Sequence, residues 1–139
     1  MGFATNGGGK RRLTEFVLDA SALLALVNNE PGADVVRPLL ARSVISSVNL
    51  CETVYRLRKE QMSLEEIRLA LSPLIPEAIP FDDSLAYVAA SIHDQTRGQG
   101  LSLGDCACLA LALTRGVPAV TTEGDWEKCD VGVKLVKIR

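Results

Sequence analysis

Glu15-Phe16-Val17-Leu18-Asp19-Ala20-Ser21-Ala22-Leu23-Leu24-Ala25-Leu26-Val27 is the stretch whose reading decides the fold. Residues 15–18 form a short apolar run of the kind expected for a buried strand. At Asp19 the pattern changes, and residues 20–27 read as a helix stopped by Asn28-Asn29. A buried strand that feeds straight into an apolar helix opens an α/β layer fold. The junction itself, where Asp19 stands, is the carboxyl edge at which such sheets bind ligands.

The same alternation continues outward. Pro31 suits the first turn of a second helix reaching about residue 40, with Pro38 loosening its end. Residues 43–46 read as a second strand and 48–61 as a helix with Leu50, Val54 and Leu57 on one stripe. Ser63-Leu64-Glu65-Glu66 has capping-box spacing and opens a helix to Leu71. Residues 74–81 form a Pro-interrupted third strand, which suits a sheet edge. Asp82 or Asp83 caps a helix to about Arg97, and Gly98 and Gly100 break it. Ser102 caps a very apolar helix over residues 104–114, closed by Gly116. Strands follow at residues 118–121 and 133–138. Strands alternating with helices predict a mainly parallel sheet with helices on both faces. Residues 13–139 are expected to form one domain behind a flexible Gly-rich tail, residues 1–12, that ends in Lys10-Arg11-Arg12.

Composition narrows the function. The chain has 139 residues, 47% of them hydrophobic and only 4% aromatic, so the core must be built from Leu, Val and Ala. A net charge of −2 offers no broad basic surface, and any nucleic acid must be held by local patches. Cys51, Cys106, Cys108 and Cys129 include no C-x-x-C pair, and His93 is the only histidine. A zinc site is therefore not expected, and the cysteines read as buried, reduced thiols. With no apolar run long enough to span a bilayer and no signal peptide, a cytoplasmic protein without membrane contact is expected.

The acids carry the chemistry. Asp19 follows the first strand, and Glu52 lies in the first turns of the helix after the second. Asp105 opens the apolar helix, and Glu123 and Asp125 follow the fourth strand. Four elements thus send acids to one predicted edge, the donor set of a hard, oxygen-liking cation. Mg²⁺ or Mn²⁺ would relieve the repulsion among them, acidify a water and offset charge on a phosphodiester. Asp19 and Asp105 are the candidate metal ligands, and an acid not touching metal would orient water.

Each acid also has a structural reading. Asp19 fits a helix cap, Glu52 fits a capping arrangement with Asn49 or a pair with Arg56, and Asp105 has capping spacing after Ser102. Only their conjunction at one edge favours a site. Ser21 fits either a cap or a contact to carboxylate or phosphate. Arg56, Arg58 and Lys59 form a basic stretch beyond Glu52 that suits an RNA backbone or a solvated face. Trp126 is expected to pack its loop on the sheet.

Together these residues resemble a known family. Residues 17–26, Glu30-Pro31-Gly32, residues 46–54 with Glu52, and Leu101-Ser102-Leu103-Gly104-Asp105 are similar to the motifs of PIN-domain toxins of the VapC type. The likeness runs over residues 16–138 and puts Asp19, Glu52 and Asp105 in the places of the family's metal-site acids. It departs at Val120-Thr121-Thr122-Glu123-Gly124-Asp125, where Glu123 stands for the usual Asp and Asp125 is the other candidate. The resemblance implies a three-layer α/β/α sandwich, a homodimer, and Mg²⁺- or Mn²⁺-dependent cleavage of RNA, with tRNA or rRNA as candidate substrates. It also implies a cognate antitoxin whose tail blocks the acidic site.

Two other readings compete. A phospho-aspartyl enzyme also places Asp after its first strand, but a phosphatase of that kind needs a second Asp where Ser21 stands, and a receiver needs an acid pair that Leu13-Thr14-Glu15 lacks. A catalytically weak PIN-like module acting by RNA or protein binding would use the same acids as caps.

Overall fold

Side-chain alternation along three short strands explains why helices cover both sides of the sheet. The computed structural model describes residues 13–75 and 77–139; the tail of residues 1–12 and Pro76 lie outside the described residues. The elements run β1 (Phe16–Leu18), α1 (Ala20–Val27), α2 (Ala33–Val36), β2 (Ser43–Ser46), α3 (Ser47–Lys59), α4 (Leu64–Leu71) and β3 (Ala78–Ile79). They continue with α5 (Asp83–Gln95), α6 (Leu103–Arg115), β4 (Ala119–Thr121) and β5 (Leu135–Lys137). The sheet order is β3-β2-β1-β4-β5, and every neighbouring pair is parallel.

Val17, Val44 and Ala119 point to one face and pack with Leu85, Ala89 and Ile92 of α5 and with Leu109 and Leu111 of α6. The next residues along the same strands point the other way. Leu18 and Val120 meet Ala22, Ala25 and Leu26 of α1, with Val36 and Ile138. Ile45 meets Leu23, Leu24, Leu57, Ile67 and Leu71. The result is the expected three-layer α/β/α sandwich. Leu57 is fully buried in this second layer, and truncating such a residue to Ala costs about 2–5 kcal/mol.

The strand order reverses direction between β1 and β4. A crevice opens at the carboxyl ends of the strands where an open sheet switches direction in this way. Asp19 leaves β1 there, and Thr121 ends β4 beside it; Asp19 N–H donates to Val120 O at 3.1 Å.

The structure departs from the sequence reading in four places. The helix expected over residues 31–40 is a single turn, α2, followed by a 3-10 turn over Arg37–Arg42. Pro38 has no N–H to continue the α ladder, so the chain tightens into 3-10 geometry. The start is delayed as well, because Gly32 takes a left-handed φ of +100° against Ile138; a Cβ there would stand 2.8 Å from Ile138 O. The third strand shrinks to two residues, paired only with β2 at the sheet edge. Pro80 directly after it cannot donate to the ladder. A second 3-10 turn, Gly124–Lys128, replaces the loop after β4 and buries Trp126 in the core. Finally, Cys51 is exposed, whereas Cys106, Cys108 and Cys129 are buried and all four are free. No helix among the described residues is long and apolar enough to cross a membrane.

Candidate active site: an acidic cleft at the switch point

Asp19 is built into the strand-to-helix junction from three directions. It is the N-cap of α1, and its Oδ1 accepts from Ala22 N at 2.8 Å and from Ser21 Oγ at 2.7 Å. Its Oδ2 accepts from Thr121 Oγ1 at 2.5 Å. Its capping and site readings are therefore compatible, because one oxygen serves the helix and the other faces β4. Only 4% of Asp19 is exposed. Burial raises its pKa to about 6, the three hydrogen bonds oppose that rise, and the charge of Asp105 adds to it.

The network extends beyond Asp19. Ser21 Oγ also accepts from Thr122 N at 3.0 Å, and Thr121 Oγ1 accepts from Glu123 N at 2.9 Å. The end of β4 is thus fastened to the start of α1 by two hydroxyls. Sequence reasoning weighed Ser21 but missed Thr121. The available signal was a Thr closing a buried strand two residues before an acid.

Asp105 sits at the third residue of α6, where Ser102 and Asp105 form a reciprocal capping box. Its Oδ2 accepts from Ser102 N at 2.9 Å, and this is the only oxygen of its carboxylate engaged among the described residues. Glu52 lies two turns into α3, which is capped by Ser46 and not, as the spacing suggested, by Asn49. Instead, Asn49 Nδ2 donates to Glu52 Oε1 at 2.9 Å and to Gly104 O at 3.0 Å.

These side chains line one cleft of about 350 Å³, with Asp19, Ser21, Asn49, Glu52, Arg56, Ser102, Asp105 and Glu123 in its wall. Beneath it lies Cys108. Burial pushes its thiol well above the ordinary range, and the charges of Asp19, Asp105 and Glu52 push the same way. Such a thiol is not a nucleophile.

The remaining candidates separate. Asp125 is exposed in the 3-10 turn and does not line the cleft; burial of Trp126 at the next position orients that turn. Arg58 donates to Met62 O at 3.0 Å, and Lys59 stands over the Tyr55 ring at 5.4 Å. Both belong to the far end of α3, away from the cleft. Of the basic stretch, only Arg56 reaches it.

The cleft suits a hard cation on its own evidence. Among the described residues no ion pair involves Asp19, Glu52, Asp105 or Glu123. The buried Asp19 carboxylate and the three others that line the cleft with it leave negative charge for a cation to balance. Among the described residues no three His, Cys, Asp or Glu side chains are grouped to hold an ion. The acids that line the cleft offer carboxylate oxygens, a donor type that fits a hard, oxygen-liking divalent cation.

Comparison with known proteins adds three findings. The PIN domain model matches residues 16–132. Ribonuclease VapC42 of Mycobacterium tuberculosis is 30% identical over 125 residues, which span 83% of this chain and 95% of that protein. Among solved structures, DNA-bound VapBC from Salmonella typhimurium superposes with a TM-score of 0.72 at 19% identity, covering 91% of this chain and all of that one. A toxin–antitoxin complex from Klebsiella pneumoniae gives 0.69 at 20% identity, covering 90% of this chain and 98% of that one. At those identities, the structural likenesses speak for the fold.

Proposed function

This chain belongs to the PIN domain family, and from that premise we propose that it is a metal-dependent endoribonuclease, the toxin of a toxin–antitoxin pair. The observation that carries the reading is the convergence of Asp19, Glu52, Asp105 and Glu123 on one cleft, with none of them in an ion pair among the described residues. The name of its 30% identical relative, a ribonuclease, points to RNA as the substrate. tRNA and rRNA are the candidates.

Asp19 and Asp105 are the proposed ligands of Mg²⁺ or Mn²⁺, with Glu52 and Glu123 holding water around it. When bound, the ion supplies positive charge against the phosphodiester and makes water more acidic. The protein's share is positional. Thr121, Ser21 and the Ala22 amide fix Asp19 before any ion arrives, so little reorganisation is left to the reaction. Glu52 keeps Oε2 free of partners among the described residues, and it is the proposed acceptor of the attacking water's proton. Arg56 at the cleft wall offers a guanidinium for a phosphate oxygen. Asp125, Arg58 and Lys59 have no part in this reading, since they lie outside the cleft.

The proposed partner is a cognate antitoxin, the toxin acts as a homodimer, and the place of action is the cytoplasm. An apolar groove lined by Leu50, Val54, Leu64, Ile67, Leu71 and Ile75 flanks α3, the helix that carries Glu52 and Arg56. A basic residue from a partner lying along α3 would meet the acids directly.

The test is incubation of the purified chain with tRNA and rRNA in Mg²⁺ or Mn²⁺, beside chelator and an Asp19→Asn control. Fragments that vanish in both controls support the reading. RNA that is bound but never cut would favour the catalytically weak module, to which the exposed Glu123 in place of Asp lends its one argument.

A further inference from the structure

Asn49 is buried to 1% exposure in the wall of the acidic cleft, and its amide makes an uncommon choice of partners. Nδ2 donates both to Glu52 on its own helix and to Gly104 O in the first turn of α6. Turning the amide over would set Oδ1 against two acceptors, so the hydrogen bonds themselves fix its orientation. Oδ1 is then left as the only buried side-chain polar atom without a partner among the described residues. Stability alone does not explain that arrangement, because an apolar residue of the same volume would fill the site with no orphaned acceptor.

Gly104 supplies the other half. A Cβ at this position would stand 2.5 Å from Glu52 Cδ, so the absent side chain is what lets the carboxylate lie against the first turn of α6. Release from Asn49 would free Glu52 to turn outward, since only one of its oxygens is held among the described residues.

We infer that Asn49 is the positioning residue for Glu52: by bridging Glu52 to the Gly104 carbonyl it holds the carboxylate of α3 at the cleft beside Asp105 of α6. The inference rests on the metal-dependent reading for its consequence, but its geometric part stands apart from it. Removing an amide that orients a carboxylate at a cation site weakens metal binding by about 10- to 100-fold. An effect transmitted only through Glu52 must vanish when Glu52 itself has been changed.

The experiment measures Mn²⁺ affinity from the spectrum of the free ion for the intact chain, Asn49→Ala, Asn49→Leu and Glu52→Gln, and for each Asn49 variant combined with Glu52→Gln. The Leu variant keeps the branched outline of Asn without its hydrogen-bonding groups and, beside the smaller Ala, separates packing from hydrogen bonding. Metal-free crystal structures of the two single Asn49 variants accompany it. The expected result is a loss of about tenfold or more in both single variants and a change below about twofold on top of Glu52→Gln, with the Glu52 carboxylate displaced from Gly104. A loss that persists in the Glu52→Gln background, or a carboxylate unmoved in both crystals, overturns the inference. So does failure of both variants to fold, which would mark Asn49 as a structural residue. If the unaltered chain binds no Mn²⁺, it is the metal-dependent reading that fails, and the crystals alone decide whether Asn49 places Glu52; if the chain binds Mn²⁺ but Glu52→Gln does not weaken binding, Asn49 cannot act on the ion through Glu52 and the inference is overturned.

Discussion

Thr121 Oγ1 donates to Asp19 Oδ2 across the seam between β4 and β1, at 2.5 Å and over a separation of 102 residues. The same hydroxyl accepts from Glu123 N at 2.9 Å, so one fully buried side chain joins the first acid of the cleft to the last. Asp19 and Glu123 come from opposite sides of the point where the strand order reverses. Thr121 is the bolt between them.

Replacing Thr121 by Val keeps the shape and removes both bonds. With Asp19 ionised at pH 8, the lost charge-assisted hydrogen bond costs about 1.5–3 kcal/mol, read as a lower urea midpoint. Because that bond opposes the rise in the Asp19 pKa, its loss should move the pKa further upward from about 6. Carboxyl-carbon NMR of Asp19 would follow the shift. An unchanged titration would mean that Thr121 does not govern Asp19.

Asp19→Asn tests the cost of the buried charge. The folded-state pKa of about 6 lies above the ordinary 3.8, so the folded chain binds this proton more tightly than the unfolded one. The stability contributed by that proton is fully present below about pH 4 and is lost as pH rises through 6. At about 1.4 kcal/mol per pH unit, the metal-free Asn variant should be more stable than the parent by at most about 3 kcal/mol at pH 7–8, with the difference closing toward pH 4. Asn caps α1 as well as Asp does, so the helix is not the source of the change. Urea titrations of both proteins across that range measure it. A variant less stable than the parent at pH 8 would contradict the account.

Gly104→Ala should separate stability from activity. The new methyl group would displace the Glu52 carboxylate, which can turn away because it ends a flexible side chain. Helix propensity favours Ala by up to about 1 kcal/mol, so the melting temperature should hold or rise slightly. RNA cleavage should nevertheless fall by about 100-fold or more, the scale on which a positioned acid–base group contributes. Loss of folding instead would show that the first turn of α6 cannot admit a Cβ.

Much of this architecture is local and could be read in advance. β1, Asp19 and α1 follow from an apolar run that changes period at a single acid. The capping boxes of Ser63 with Glu66 and Ser102 with Asp105 announce α4 and α6 within four residues. What escaped was set by distant partners. Gly32 delays α2 because Ile138, from the other end of the chain, lies against it. The choice between Glu123 and Asp125 at the cleft wall follows from the burial of Trp126, which coils the chain after β4 into a 3-10 turn. Asn49 spaced like a cap, yet its amide bonds Gly104, 55 residues on. The basic stretch of Arg56, Arg58 and Lys59 reads as one patch, but only Arg56 lines the cleft.

The most direct test of the central claim is the chemistry of the cut ends. Water activated at an acidic, cation-holding cleft leaves a 5′-phosphate on the downstream fragment, and the 2′-hydroxyl takes no part. The account predicts RNA fragments bearing 5′-phosphate, formed with Mg²⁺ or Mn²⁺, abolished by chelator and absent with Asp19→Asn. Fragments ending in a 2′,3′-cyclic phosphate and formed equally well in chelator or with Asp19→Asn would contradict it.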